Sequence, residues 1–254
     1  IMERNEQGKF KKEYDVNENF FEIIDNEEKA YILGFFYADG CNQNNNGSKS
    51  ISFPQLEQDV DILDKIKDAM ESNHKYCEMI QETNGKRKFR LQFYSQKLSD
   101  DLFNLGAVYN KSLILKFPTT LSEQLMPHFI RGYFDGDGCI WMGKPKIMEF
   151  NDKKDPNKVK NRFIFNTKFT FTGNFDFINS LQDYLVTTLK FKKTKLNFSK
   201  AKETKHICTM EYSGKNQIKT LYDYMYTNAT IFGNRKKTKF EEINCADNKK
   251  LLSE

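Results

Sequence analysis

Two nine-residue stretches constrain this chain more than any other feature, because one is a copy of the other. Ile32-Leu33-Gly34-Phe35-Phe36-Tyr37-Ala38-Asp39-Gly40 aligns without a gap on Ile130-Arg131-Gly132-Tyr133-Phe134-Asp135-Gly136-Asp137-Gly138, and a cysteine follows each (Cys41, Cys139). The copies lie 98 residues apart, too far for a solenoid repeat and about right for a duplicated small domain. Each reads as the end of an apolar helix that glycine stops.

The placement of the acids calls for a function. Asp39 and Asp137 fall at helix C-termini, where the macrodipole is already negative and disfavours a carboxylate by about 0.3–1 kcal/mol. Gly34 with Ala38, and Gly132 with Gly136, put small residues four apart on one helix face, and two such faces can pack with their backbones close. That packing would gather two carboxylates and two negative helix ends. The arrangement repels itself alone and becomes a binding site with a hard divalent ion. The plain alternative is a buried helix pair with capping aspartates, and the duplicated acid placement argues against it.

These residues resemble the LAGLIDADG homing endonucleases in their single-chain, two-motif form. The resemblance covers the motif twice and, more loosely, the domain pattern over most of the chain. It implies an α+β fold of two pseudo-symmetric αββαββα halves packed through their motif helices, each laying an antiparallel sheet along DNA. The chain then divides into an N-terminal arm (1–26), a first half (27–118) and a second half (119–254). By the same resemblance Asp39 and Asp137 bind the catalytic metal, with Ala38 and Gly136 beside them in the metal set. Mg2+ is the expected cofactor, and Ca2+, which prefers looser and higher coordination, is expected to bind without supporting cleavage. One position departs from the pattern: the sixth motif residue, usually acidic in the family, is Asp135 in the second copy but Tyr37 in the first.

Composition narrows the setting. The five cysteines are odd in number and form no CxxC pair, which argues for a reducing, intracellular environment and against structural zinc. No run of about 18 apolar residues is present to span a membrane. The net charge of +5 is modest, but between Trp141 and Lys205 fifteen Lys or Arg face only six Asp or Glu. A concentrated positive field of this kind suits a polyanion, although a solvated lysine-rich loop would look the same.

Taken in order, Asp25-Asn26-Glu27-Glu28 is a helix start leading into the first motif. Asn42–Gly47 reads as a turn-rich hairpin loop, followed by a strand at Ser50–Phe53 and a helix over Asp59–Glu71. Strands are expected at Tyr76–Glu82 and Lys88–Tyr94, turning at Asn84-Gly85, then a helix at Gln96–Leu105 and a connection over Lys111–Pro118. The second half repeats the order: strands near Ile140–Phe150 and Arg162–Thr172, a helix at Phe175–Leu189, strands at Lys193–Ser199 and His206–Tyr212, and a helix at Asn216–Met225.

Strand parity supplies a candidate nucleic-acid face. Lys88, Arg90 and Gln92 alternate with Phe89, Leu91 and Phe93, while Arg162, Asn166, Lys168, Thr170 and Thr172 alternate with Phe163, Phe165, Phe169 and Phe171. Lys193, Lys195, Asn197 and Ser199 oppose Leu196 and Phe198. Any sheet with one wet face alternates, but these wet faces are rich in groups that contact phosphate or read base edges. With Asn42, Gln43, Asn44, Ser50, Ser52, Lys86, Trp141, Lys144 and Lys146 they form the expected DNA-binding set. Lys202 and Lys205 are expected to anchor phosphate from a loop.

The resemblance also implies helpers for catalysis. A Gln near the end of the second strand of a half corresponds to Gln55, with Thr170 or Thr172 as its counterpart and Pro54 expected to disturb the strand beside it. A basic residue after the third helix corresponds to Lys111 in the first half and Lys236 in the second. His74, His128 and His206 have no ligand spacing. The reading is a monomeric, Mg2+-dependent double-strand DNA endonuclease with a long, nearly asymmetric target, needing no protein partner and no membrane. The competing reading is the same fold without cleavage, an RNA maturase or a DNA-binding regulator. The presence of both motif acids favours the enzyme.

Overall fold

The computed structural model describes residues 14–80, 85–144, 146–151, 159–201, 204 and 206–245. At its centre, helix α1 (Glu27–Ala38) packs along helix α4 (Met126–Asp137). Asn26 caps α1 by accepting the Lys29 N–H at 3.0 Å, and Glu27 and Glu28 lie in the positive first turn. Every residue of α1 from Ala30 to Tyr37 is buried, as expected of a helix apolar on all sides.

Glycine sets how close the two helices come. A Cβ on Gly34 would lie 2.0 Å from the Phe129 carbonyl oxygen, and one on Gly132 would lie 1.9 Å from that of Tyr31. Only hydrogen fits at either position, so the helices meet backbone to backbone. The glycines that close the motifs are required for room as well: a Cβ on Gly40 or Gly138 would press on Phe36 or Phe134, at 2.2 Å and 2.3 Å. Neither adopts the left-handed conformation of a helix-stopping glycine.

The first half continues with β1 (Cys41–Asn45), β2 (Ser48–Leu56), a 3-10 turn at Glu57–Asp59, α2 (Asp61–Ala69), β3 (Cys77–Ile80), β4 (Arg87–Phe93), α3 (Gln96–Asn104) and a 3-10 turn at Lys111–Leu113. Its sheet is antiparallel in the order β1-β2-β4-β3. The second half has β5 (Gly138–Met142), β6 (Lys146–Asn151), β7 (Val159–Ile164), β8 (Thr167–Asn174), α5 (Phe175–Leu189), β9 (Asn197–Phe198), β10 (Ile207–Ser213), α6 (Lys215–Tyr226) and α7 (Asn234–Cys245). Its sheet runs β5-β8-β10-β9, and β6 and β7 form a separate two-stranded ribbon. In both sheets the inner faces, Ile51, Phe53, Leu91 and Phe93 in one and Phe169, Phe171, Met210 and Tyr212 in the other, join the core around α1 and α4.

Several sequence expectations need correction. Asn42–Asn45 is strand rather than loop, and only Asn46-Gly47 turns, with φ of 51° and 91°; both positive angles match the twist of a two-residue hairpin. Pro54 does not interrupt β2, which stays in register with Arg90 opposite it. The last residue of β2 paired with β1 is Ser52, so Pro54 lies on a free edge, where sheets tolerate proline. The strands expected at Ile140–Phe150 and Arg162–Thr172 each divide in two, so the parity drawn from Arg162 to Thr172 does not run through. The strand expected over Lys193–Ser199 is reduced to Asn197 and Phe198. Helix α7 follows the third helix expected of the second half, and the cluster Asn234-Arg235-Lys236-Lys237 is its first turn. The Asn84 position of the expected β3–β4 turn lies outside the described residues.

Candidate active site and nucleic-acid face

Asp39 caps the C-terminus of α1 and Asp137 ends α4, so the close helix packing brings the two acids to one end of the seam. A Cβ on Gly136 would touch Ala38 Cβ at 2.3 Å and lie 3.4 Å from Asp39 Oδ2, which puts the Asp39 carboxylate against the last turn of α4. Asp137 keeps an exposed edge, yet partial burial in the seam, followed by the charge of Asp39, pushes its carboxyl up to about 6. A cation between the acids would relieve that repulsion.

Each helix end is covered by a buried lysine, as the macrodipole favours. Lys111, 7% exposed, donates to the Ala38 carbonyl at 3.2 Å. Lys236, 8% exposed, donates to the carbonyls of Phe134, Asp135 and Gly136 at 2.8, 2.7 and 2.8 Å. Burial lowers both ammonium pKa values, and the nearby acids oppose it: Asp137 and then Asp39 for Lys111, Asp135 and then Asp39 for Lys236. The carbonyls of Ala38 and Gly136, the two non-acidic members of the expected metal set, therefore accept from lysine in this structure.

Gln55 points inward from β2 and donates to Asp39 Oδ2 at 2.7 Å. Its counterpart is neither Thr170 nor Thr172. Cys41 faces Ser52 across the first sheet and Cys139 faces Thr170 across the second, so three residues further on Gln55 corresponds to Gly173. A Cβ there would lie 2.5 Å from the Tyr133 hydroxyl, which donates to the Thr172 carbonyl at 2.8 Å. Asp137 has no hydrogen-bond partner of the Gln55 kind among the described residues. The sixth motif position serves packing in both copies: Tyr37 donates to the Leu105 carbonyl, and Asp135 accepts from the Tyr31 hydroxyl and the Gly233 N–H, each at 2.7 Å.

Among the described residues no group of three or more His, Cys, Asp or Glu converges as a metal cage. Two carboxylates at paired negative helix ends are a donor set that fits a hard divalent ion keeping most of its water. They do not fit a thiophilic or imidazole-seeking metal.

The outer sheet faces carry many of the polar candidates. On the first, the register aligns Gln43 with Ser50, Ser52 with Gln92 and Pro54 with Arg90, and Lys88 follows on the same face; Ser50 and Ser52, expected to contact DNA, are buried there. Gln92 donates to the Ser50 hydroxyl at 3.3 Å. On the second, Trp141, Lys168, Thr170 and Thr172 share a face with Asn197, Thr209 and Glu211.

No protein-family profile and no curated protein matches the chain. Solved structures do. The LAGLIDADG meganuclease I-AabMI bound to uncleaved DNA superposes with a TM-score of 0.51 at 15% identity, over 87% of this chain and 90% of that one. The homing endonuclease I-WcaI bound to its DNA recognition sequence gives 0.53 at 12% identity, over 84% and 85%. The I-LtrWI LAGLIDADG homing endonuclease bound to target DNA gives 0.50 at 13% identity, over 85% and 88%. The chain has the LAGLIDADG homing-endonuclease fold.

Within this LAGLIDADG fold some predicted contacts are displaced. Asn42 faces inward, 4% exposed, and donates to the Ser99 and Ala107 carbonyls at 3.0 and 3.1 Å; its parity in β1 is opposite to that of Gln43. Asn44 is exposed and accepts the Gly47 N–H in the turn. Lys193 lies off the sheet, paired with Asp183 of α5, and Lys195 is exposed coil before β9. Lys86, Lys144, Lys146 and Asn166 are exposed outside the two main sheets, and Ser199 bonds Thr204 at 2.6 Å. The Arg162 side chain, Lys202 and Lys205 lie outside the described residues.

Sequence reasoning missed Glu211, which pairs with Lys168 at 2.8 Å on the outer face. It also missed Arg131, fully buried between Glu27 (2.7 Å) and the Ile231 carbonyl (2.9 Å). A visible signal was available for Arg131: it puts a charge at the motif position where the first copy has Leu33.

Proposed function

We propose that this chain is a site-specific double-strand DNA endonuclease that hydrolyses phosphodiesters with a divalent metal, Mg2+, held at Asp39 and Asp137. The observation that carries the reading is the meeting of the two motif acids at a backbone-to-backbone helix seam between two sheets with polar outer faces. Its fold neighbours include proteins described as bound to target or uncleaved DNA, and DNA is the natural partner for the outer faces and for the basic second half. Both motifs are in one chain, so a monomer supplies both halves of a two-strand cut.

Asp39 and Asp137 would hold the ion, and Gln55 fixes one oxygen of Asp39 so that the carboxylate presents the other. The ion, when bound, supplies Lewis acidity and a more acidic water. Among the described residues Lys111 makes one hydrogen bond of the three its ammonium can make, and it feels both acids, so it is placed to offset charge developing on a phosphate oxygen. Arg90 and Lys168, mid-strand on the two outer faces, would meet base edges in a major groove, one for each half-site.

The test is incubation with a randomised plasmid library and Mg2+, followed by sequencing of the new ends. Recovery of one long recurrent site cut on both strands supports the reading. Retention of a preferred sequence without any cut would instead favour the non-cleaving binder.

A further inference from the structure

Lys236 belongs to the second half, but the first half grips the segment that delivers it. Glu27, at the start of α1, accepts the N–H groups of Thr230 and Ile231 at 2.7 and 3.4 Å. Lys65 of α2 donates to the Phe232 carbonyl at 2.6 Å and to Asn234 Oδ1 at 2.9 Å, and its ammonium stands 4.8 Å from the centre of the Phe232 ring. Gly233 donates to Asp135, which Tyr31 of α1 also holds. Arg235 closes the strap with two bonds to Asp59, at 2.7 and 2.9 Å. Every residue from 230 to 235 is thus tied to the first half, directly or through Asp135.

The next residue commits all three of its ammonium protons to carbonyls in the last turn of α4. Three acceptors in fixed directions make that contact intolerant of any shift in the first turn of α7. Lys111 is delivered differently: its preceding segment is tied within its own half, through Tyr37 to Leu105 and Asn42 to Ala107, and among the described residues its ammonium makes a single bond. Among the described residues of this segment, the second half reaches only those after Lys111, where Asn174 donates to the Ser112 and Leu115 carbonyls at 3.5 and 2.9 Å; the continuous strap leading into the lysine is the feature of Lys236.

We infer that Asp59 and Lys65 are positioning residues, through which the first half sets the placement of Lys236 and with it the end of α4 that carries Asp137. The structural part stands without the proposed function; only its consequence for cleavage rests on that reading. An exposed ion pair such as Asp59–Arg235 carries up to about a five-fold bias on its own.

The experiment uses the intact chain, free of metal and DNA, with 15N-labelled lysine side chains. The wild-type Lys236 ammonium is expected to give a slowly exchanging resonance. Asp59→Asn and Arg235→Gln should each speed its proton exchange about five-fold, leave Lys111 unaffected and leave the melting transition cooperative. The double variant should be no faster than either single one, because both remove the same link. Unchanged exchange at Lys236 in either single variant, or additive effects in the double, would overturn the inference. With the recovered target, the same variants should lower kcat with little change in KM. Absence of wild-type cleavage would remove the proposed activity while leaving the exchange result to decide the positioning role.

Discussion

Replacing Gly132 by Ala tests the helix seam directly. The new Cβ would sit 1.9 Å from the Tyr31 carbonyl oxygen, 2.8 Å from the Phe35 nitrogen and 2.9 Å from the Tyr31 carbonyl carbon. All three are backbone atoms in a buried helix, so no side chain can swing aside. A normal carbon–oxygen contact of roughly 3.3 Å requires the helices to part by about 1.4 Å. Overpacking of this kind costs up to about 3 kcal/mol, while Ala gains about 1 kcal/mol in helix propensity over Gly. The net loss is about 2 kcal/mol, a fall in Tm of about 4–8 °C for a chain of this size. Gly34→Ala, 2.0 Å from the Phe129 carbonyl oxygen, should behave alike. Urea unfolding and thermal melts followed by circular dichroism would measure both. A Tm equal to or above wild type, as propensity alone demands, would refute the backbone-to-backbone seam.

Asp137, pushed up to about 6 by burial and by Asp39, is harder to ionise folded than unfolded, so its charge opposes folding above pH 4 and most fully above pH 6. Asp137→Asn should therefore raise Tm at pH 7.5 in metal-free buffer, with the gain shrinking as pH falls from 6 to 4; a gain independent of pH would count against the coupling. Lys236→Met should destabilise more than Lys111→Met in denaturant melts, because three carbonyls lose a charged donor rather than one. DNA affinity should fall with salt at a log–log slope of about −0.9 per neutralised phosphate. Glu211→Gln, which frees Lys168, should tighten binding in the same titration. Arg90→Ala and Lys168→Ala should relax base preference on opposite sides of the cut, by about 1–3 kcal/mol per lost bidentate contact, in profiling of a singly substituted target library.

The motif duplication, the seam and the acid pair were legible because they depend on residue identity at fixed helical spacing: glycine where backbones meet, apolar residues on every other face, acid at the end. Sheet register is not written that way. The counterpart of Gln55 is Gly173 only because β1 and β5 pair in a particular register, and Asn42 turned out to face inward because its segment continues β1 rather than forming a loop. Helix α7 was hidden by its own chemistry: Arg235, Lys236, Lys237 and Lys239 crowd its first two turns, and only Lys236, Phe240 and Ile243 are buried, too few to mark an apolar stripe. Lys193 and Lys195 alternate correctly for a strand but lack a partner strand, so alternation alone misassigned them.

The central claim is that Asp39 and Asp137 together make the metal site for cleavage. The most direct measurement is the rate of double-strand cutting on the recovered target for wild type, Asp39→Asn and Asp137→Asn in Mg2+, with DNA affinity measured in Ca2+ alongside. The prediction is that both variants lose double-strand cleavage while binding DNA as well as wild type or more tightly, since repulsion of the phosphates falls. Wild-type cleavage persisting in EDTA, or either variant cutting both strands at the wild-type rate, would contradict it.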